Sequence, residues 1–502
     1  MKKTKLIHLG VIILGIIFVF IPAFHSNIWF DESYSVAIAG KSFGDIWTIT
    51  GHDVHPALYY WMLHIIYLIF GSNIFIYRLF SVLSIAILGI IGYTHIRKDF
   101  GEKTGIVFSF LTYFLPIMNT YAQEIRMYSW TCLIVTLMAI YGYRFYKAVK
   151  ENSEKNKIKN LCLFGIFSIC SCYIHYYALV TAGLVNLIIL IYLIKNRKND
   201  VKSLRNFLIV AVIQIILYIP WMIFFVVQLK HVGGGFWIQL SLVGTTVDIL
   251  SFQFKNQVDS NFLTDIKAMM ALIVSILVYV YSIIKAYKLK KDGEDIKPII
   301  LSAGIYVGVI LIILLVSMIS PILYARYLLT MTGLYIFTLA FIISKEKNKI
   351  ISGIILAITL ILAVLSNIQN VKENYNKENM DVYNYINDEL EDDDIFLYSK
   401  IGNGGMIATY FPNNKQYFMN LEHWGVEEAY KAYLPAMETK ENWDFLKDFK
   451  GRIWLIDDDS NQFYENEEFH GENINVLKEE KQFKIKYHNL TYNVILIEKI
   501  SL

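Results

Sequence analysis

A chain of 502 residues that is 55% hydrophobic and only 18% charged is too apolar to fold as a soluble globular protein. Its net charge of +3 sits in short clusters between apolar runs and forms no basic patch, which argues against a nucleic-acid partner. The four cysteines (Cys132, Cys162, Cys170 and Cys172) fall inside apolar runs, so the polar C-terminal part has no disulfide framework.

The first apolar run, residues 6–24, follows "MKKTK" and is read as an uncleaved span. It is long for a signal peptide, and "WFDES" follows it in place of a small-x-small cleavage site. Further spans are predicted at 73–95, 105–121, 127–144, 161–176, 177–194, 207–229, 268–285, 298–320, 325–343 and 350–367, eleven in all. Each is long enough to cross a hydrocarbon core of about 30 Å. Alternate junctions are basic: "MKKTK", "RKDFGEK", "RFYKAVKENSEKNKIK", "KNRKNDVKSLR", "KAYKLKKDGEDIK" and "KEKNK". These segments hold 25 Lys or Arg, against seven in the other membrane-proximal segments. The positive-inside rule then puts the N-terminus in the cytoplasm, and residues 25–72 and 370–502 on the external face of a multi-pass cell-membrane protein. The apolar stretch 56–70 is short for a span, and counting it would break the charge alternation. Residues 25–72 therefore read as one external loop with short helices on the membrane surface.

Beyond residue 370 the composition changes to Lys, Asn, Asp and Glu with short β-type runs: "DIFLYS", "RIWLIDD", "FKIKYH" and "YNVILIEKI". A helix is expected at "DVYNYINDELE". The expected organisation is a transmembrane domain over 1–369 and a small external α/β domain over 370–502, without internal repeats.

Mid-depth charge is nearly absent from the spans, and the polar candidates gather at their external ends: Asp31 and Glu32; His52, Asp53 and His55 in "HDVHP"; Arg78; Glu124 and Arg126 in "QEIRMY"; His175; and Arg326 in "YARY". Charged residues at a membrane rim are functional candidates by default. Each also has a plainer reading. Asp31 caps a surface helix; Glu32 pairs with an arginine; Glu124 and Arg126 form an ion pair at a tight turn. Arg78 and Arg326 anchor at the interface beside tyrosines, and His175 is a structural residue of a tight hairpin. No metal ligands are assigned, although "HDVH" offers spacing for a divalent cation. The glycine run in "HVGGGFW", residues 231–237, suits a mobile external loop.

Five stretches in this order resemble the GT-C superfamily of integral membrane glycosyltransferases, in the branch of the protein O-mannosyltransferases and the lipid A aminoarabinose transferase. They are "FDES" after the first span, "HP-LYYW" in the first loop, "YR-FS" opening the next span, "QEIRMY", and the late "ARYLL". The resemblance covers residues 1 to 345 and implies a GT-C fold. It also implies inverting transfer of a sugar from a polyisoprenyl-phosphate donor to an external acceptor (a glycan, lipid, cell-wall polymer or protein). On that reading Asp31 is the catalytic base and Glu32 supports it. His55, Arg78, Arg126 and Arg326 serve the donor phosphate, and His52, Asp53, Tyr59, Glu124 and Tyr324 contact substrate. The bare chemistry agrees. An acceptor hydroxyl needs a base, and a departing phosphate needs cationic donors, for which arginine has the right fork. The competing functions are a transporter or flippase of a lipid-linked saccharide, and a non-catalytic membrane protein whose external domain binds a partner. The first predicts charges in mid-membrane and broken helices in matched halves.

The charge count yields a direct test of orientation. Cysteines placed at Ser42 and Asn413 in a cysteine-free background label with an impermeant thiol reagent on intact cells. Labelling only after permeabilisation contradicts the orientation.

Overall fold

The computed structural model describes residues 2–233, 238, 241–256, 265–421, 425, 427–458 and 474–500. Among the described residues, ten helices are long and apolar enough to cross a membrane: Lys3–Ala23, Ile74–Phe100, Tyr128–Lys150, Glu154–Ile174, Tyr176–Lys195, Val201–Leu229, Ile266–Lys291, Lys297–Ser317, Ala325–Ser344 and Lys349–Asn374. The eleventh predicted span is the pair Glu102–Phe114 and Pro116–Ala122, bent by 59°. The cause is local. Pro116 supplies no N–H and disfavours helical geometry in the residue before it, and Leu115 is extended (φ −73°, ψ 127°). The stretch expected to lie on the membrane surface forms the 13-residue helix Leu58–Phe70, too short to span.

Helices in lipid gain little from hydrophobic contrast, so close approach and polar contacts hold them together. A methyl group on Gly92 would lie 2.2 Å from the Ser109 hydroxyl, and one on Gly105 would lie 2.5 Å from the Gly92 carbonyl. Beside them His8 Nε2 and the Ser109 hydroxyl are 2.8 Å apart, and Ser109 donates to the Gly89 carbonyl.

Backbone contacts divide the chain into two compact units. The first comprises Met1–Ile21, His55–Tyr59 and Leu79–Ile368; the second comprises Pro22–Val54, Tyr60–Arg78 and Gln369–Leu502. In the second unit lies a mixed six-stranded sheet, in the order β3-β2-β1-β4-β6-β5. Its strands are β1 (Ile395–Tyr398), β2 (Lys415–Met419), β3 (Met437–Lys440), β4 (Gly451–Asp457), β5 (Ile474–Ile485) and β6 (Leu490–Lys499). β1 runs parallel to β2 and β4; β6 is antiparallel to β4 and β5. Ile395, Leu397, Met419, Ile453, Leu455, Ile495 and Ile497 pack one face. Phe396, Tyr398, Trp454, Ile456, Val494 and Leu496 are buried as well, so the central strands read as continuous apolar runs. The helix expected at "DVYNYINDELE" is Asp381–Glu389.

Candidate functional site

The opening acidic pair lies on the helix Phe30–Ala39 of the second unit. Trp29, not Asp31, is its N-cap, and no side chain caps the helix there. Both carboxylates stand in the first turn, where the helix dipole favours negative charge. Neighbouring helical residues point about 100° apart. Glu32 is accordingly fully buried while Asp31 is partly exposed.

Glu32 is held by a fork. Arg78 Nη1 donates to its Oε1 at 2.7 Å and Nη2 to its Oε2 at 3.1 Å. Tyr487 donates to Oε2 at 2.8 Å, and Arg78 Nη2 also donates to the Asn27 carbonyl. Both charged side chains have zero exposure. Arg78, expected at the donor phosphate, thus has its guanidinium taken by Glu32, Asn27 and Tyr487.

The polar C-terminal sequence contributes to the same unit. Ser33 donates to the Phe30 carbonyl at 2.7 Å, so the Tyr433 hydroxyl 2.9 Å away donates to Ser33. Lys41 donates to the Leu434 carbonyl, and Trp29 stacks on His488 with ring centres 4.5 Å apart. Burial, with the charges of Asp53 and Asp31 behind it, pushes the Tyr430 phenol above its ordinary pKa. Asp31 and Asp53 are therefore both near this C-terminal tyrosine. His52 ends the helix Phe43–Gly51 and bonds through Nδ1 to the Thr48 carbonyl. Among the described residues no group of three or more His, Cys, Asp or Glu is arranged to hold a metal ion.

The first unit brings a second set together. The break after Ala122 is followed by a tight turn in which the Arg126 amide donates to the Glu124 carbonyl at 2.7 Å. Tyr128 then opens the long helix to Lys150. His175 is the single extended residue (φ −164°, ψ 142°) between two spans, and its Nδ1 caps the second by accepting from the Tyr177 amide at 3.1 Å. Tyr324 to Tyr327 open the 3₁₀ turn Ala325–Met331. The rings meet: His55 to His175 at 5.9 Å between centres, His175 to Tyr327 at 5.1 Å, His55 to Tyr327 at 6.4 Å and Tyr128 to His175 at 5.8 Å. Tyr324 lies 5.8 Å from Tyr327, and the Arg326 guanidinium sits 4.7 Å above the Tyr324 ring. Tyr59, His55, Glu124, Arg126 and His175 are all buried. Burial, then the charges of His55 and Arg126, holds the His175 imidazole well below its ordinary pKa.

His175, read from sequence as a structural residue, and Tyr128, Tyr177 and Tyr327, assigned no role, belong to this cluster. The repeated "HYY" and "YARY" junctions are the signal that marks them. Residues 234–237 of "HVGGGFW" lie outside the described residues. A cavity of about 440 Å³, lined by Phe100, Thr136, Tyr146, Tyr192, Lys297 and Phe337 among others, contains none of the candidate residues.

Residues 54–224 match the family described as dolichyl-phosphate-mannose-protein mannosyltransferase. ArnT from Cupriavidus metallidurans bound to undecaprenyl phosphate superposes with a TM-score of 0.61 at 9% identity, over 97% of each chain. The chain has the fold of that ArnT, as the GT-C resemblance leads one to expect. The same ArnT in its apo state gives a TM-score of 0.52 at 11% identity, covering 99% of this chain and 98% of that one. No curated protein sequence matches. The chain is a multi-pass membrane protein with a small C-terminal sheet, and it shares its fold with ArnT.

The partners of Arg78 predict how the protein responds to its loss. Removing one member of a buried pair strands the other and costs about 3–5 kcal/mol, whereas replacing both with apolar groups is often far milder. Arg78→Met should lower the unfolding temperature in detergent strongly, and Glu32→Leu combined with Arg78→Met should recover much of it. An Arg78→Met protein of unchanged stability contradicts the structural assignment.

Proposed function

We propose that this protein is an inverting glycosyltransferase that moves a sugar from a polyisoprenyl phosphate to an acceptor hydroxyl on the external face of the membrane. The observation that carries the reading is the gathering, in the first unit, of His55, Arg126, His175 and Tyr324–Tyr327 from four separate junctions. The match to an ArnT described as bound to undecaprenyl phosphate supports a polyprenyl-phosphate-linked donor.

The roles divide by chemistry. Asp31 takes the proton of the acceptor hydroxyl, whose oxygen attacks the anomeric carbon from the face opposite the phosphate. The bond from that carbon to the phosphate oxygen breaks, its electron pair leaves with the lipid phosphate, and the configuration inverts. Arg126, Arg326 and His55 stabilise the charge growing on the phosphate. Glu32 is assigned support: fixed by Arg78, it anchors the helix from which Asp31 projects. His52, Asp53, Tyr59, Glu124 and Tyr324 are assigned substrate contacts. The lysine and arginine asymmetry orients the protein with its N-terminus in the cytoplasm and residues 370–502 outside.

Asp31→Asn is nearly isosteric and leaves the ion pair beside it intact. Expression and donor binding should be retained while turnover falls about 10²- to 10⁴-fold, the usual worth of a general base. Near-normal transferase activity in a well-folded Asp31→Asn protein rejects the base. At the leaving group, Arg126→Lys and Arg326→Lys keep charge and lose the fork. Each should lower kcat/KM by an amount equivalent to about 2–4 kcal/mol of transition-state stabilisation. Full activity in both sends the phosphate elsewhere.

A further inference from the structure

Among the described residues of the first unit, the second ring nitrogen of His175 is a buried polar group that its surroundings leave unanswered. A backbone amide can only donate, so the bond from the Tyr177 N–H makes His175 Nδ1 the acceptor. In the neutral ring the proton is then on Nε2. That Nε2–H is buried and, among the described residues, has no hydrogen-bond partner, on a side chain only 3% exposed. Leaving a buried donor unmade is costly. The ring is packed among His55, Tyr128, Tyr177 and Tyr327 and feels the charge of Arg126. His175 is itself the extended residue between two spans, so the backbone fixes which way the ring faces.

We infer that His175 Nε2–H is a hydrogen-bond donor to the phosphoryl group of the lipid-linked donor, alongside Arg126 and His55. The inference rests on the donor assignment above and extends it to a residue whose sequence context points only to a hairpin. The partner must be an acceptor, because Nε2–H only donates. The cations beside it select an anionic acceptor, which a phosphate oxygen satisfies and a neutral hydroxyl or amide does not. A neutral donor is useful there: it strengthens as charge builds on the oxygen, and it adds no further cation to a site that already holds Arg126. No proton leaves His175. When the anomeric carbon–oxygen bond breaks, the electron pair goes to the phosphate oxygen and the imidazole keeps its hydrogen.

Two substitutions separate this role from the helix cap. Asparagine places an acceptor near the position of Nδ1 and caps well, but reaches nothing at Nε2. Glutamine places an N–H near Nε2 and gives up the cap. Binding of polyprenyl phosphate and of polyprenol, the same lipid without phosphate, is measured on the full-length protein in lipid nanodiscs. The ratio of the two affinities, taken on one preparation, cancels any loss of folded protein. His175→Asn should reduce the preference for the phosphate about tenfold or more, as expected for a lost hydrogen bond to a charged group. His175→Gln should keep it within about threefold. If His175→Asn retains the wild-type preference while Arg126→Lys loses it, His175 is a cap only and the inference fails alone. If neither variant changes the preference, the donor assignment fails with it.

Discussion

The buried pair between Glu32 and Arg78 is the interaction on which the acidic motif depends. It joins the first loop to residue 78 and, through Tyr487, to the last stretch of the sheet domain, three segments far apart in sequence. Two full charges with no exposure are tolerable because the fork is bidentate and Tyr487 and Asn27 add further hydrogen bonds to the pair. The consequence reaches the neighbouring residue. With Glu32 committed inward, helix geometry turns Asp31 away from the pair and leaves it partly exposed near Tyr430. Two adjacent carboxylates therefore occupy different environments, one fully buried in an ion pair and one partly exposed.

The bilayer explains why the chemistry collects where it does. Backbone polar groups facing hydrocarbon must be satisfied within the protein, so irregular backbone collects at the junctions between spans, with the buried break at Pro116 the exception. Those junctions supply the extended His175, the turn from Glu124 to Arg126 and the 3₁₀ start at Ala325. Within the spans, small residues and buried hydroxyls serve packing instead, as at Gly92, Gly105 and Ser109. Helix length sets the scaffold, and the interruptions carry the polar groups.

Much of the architecture was legible because bilayer thickness imposes a simple length rule. All eleven predicted spans coincide with a helix or with the pair bent at Pro116. Strands β1, β4 and β6 were visible as runs buried on both faces. β2 ("KQYFM") and β3 ("METK") were not, since short strands with polar residues carry no distinctive period. The rim charges were found but not their pairing. Nothing within reach of Arg78 in sequence shows that Glu32, 46 residues earlier, takes its guanidinium. The helix-cap alternative for Asp31 was equally open until the cap position proved to be Trp29. Sequence does not mark His175, because a histidine at a hairpin looks the same whether its second nitrogen is answered or not.

The central claim is transfer of sugar from a polyprenyl phosphate. It is tested most directly with purified protein in proteoliposomes, polyprenyl phosphate carrying a radiolabelled sugar, and an envelope extract as the source of acceptors. The account predicts that label leaves the lipid for a non-lipid-phosphate product, that polyprenyl phosphate appears in equal amount, and that the new anomeric linkage is inverted. Movement of intact labelled lipid between leaflets without release of polyprenyl phosphate contradicts it, as does binding with no turnover.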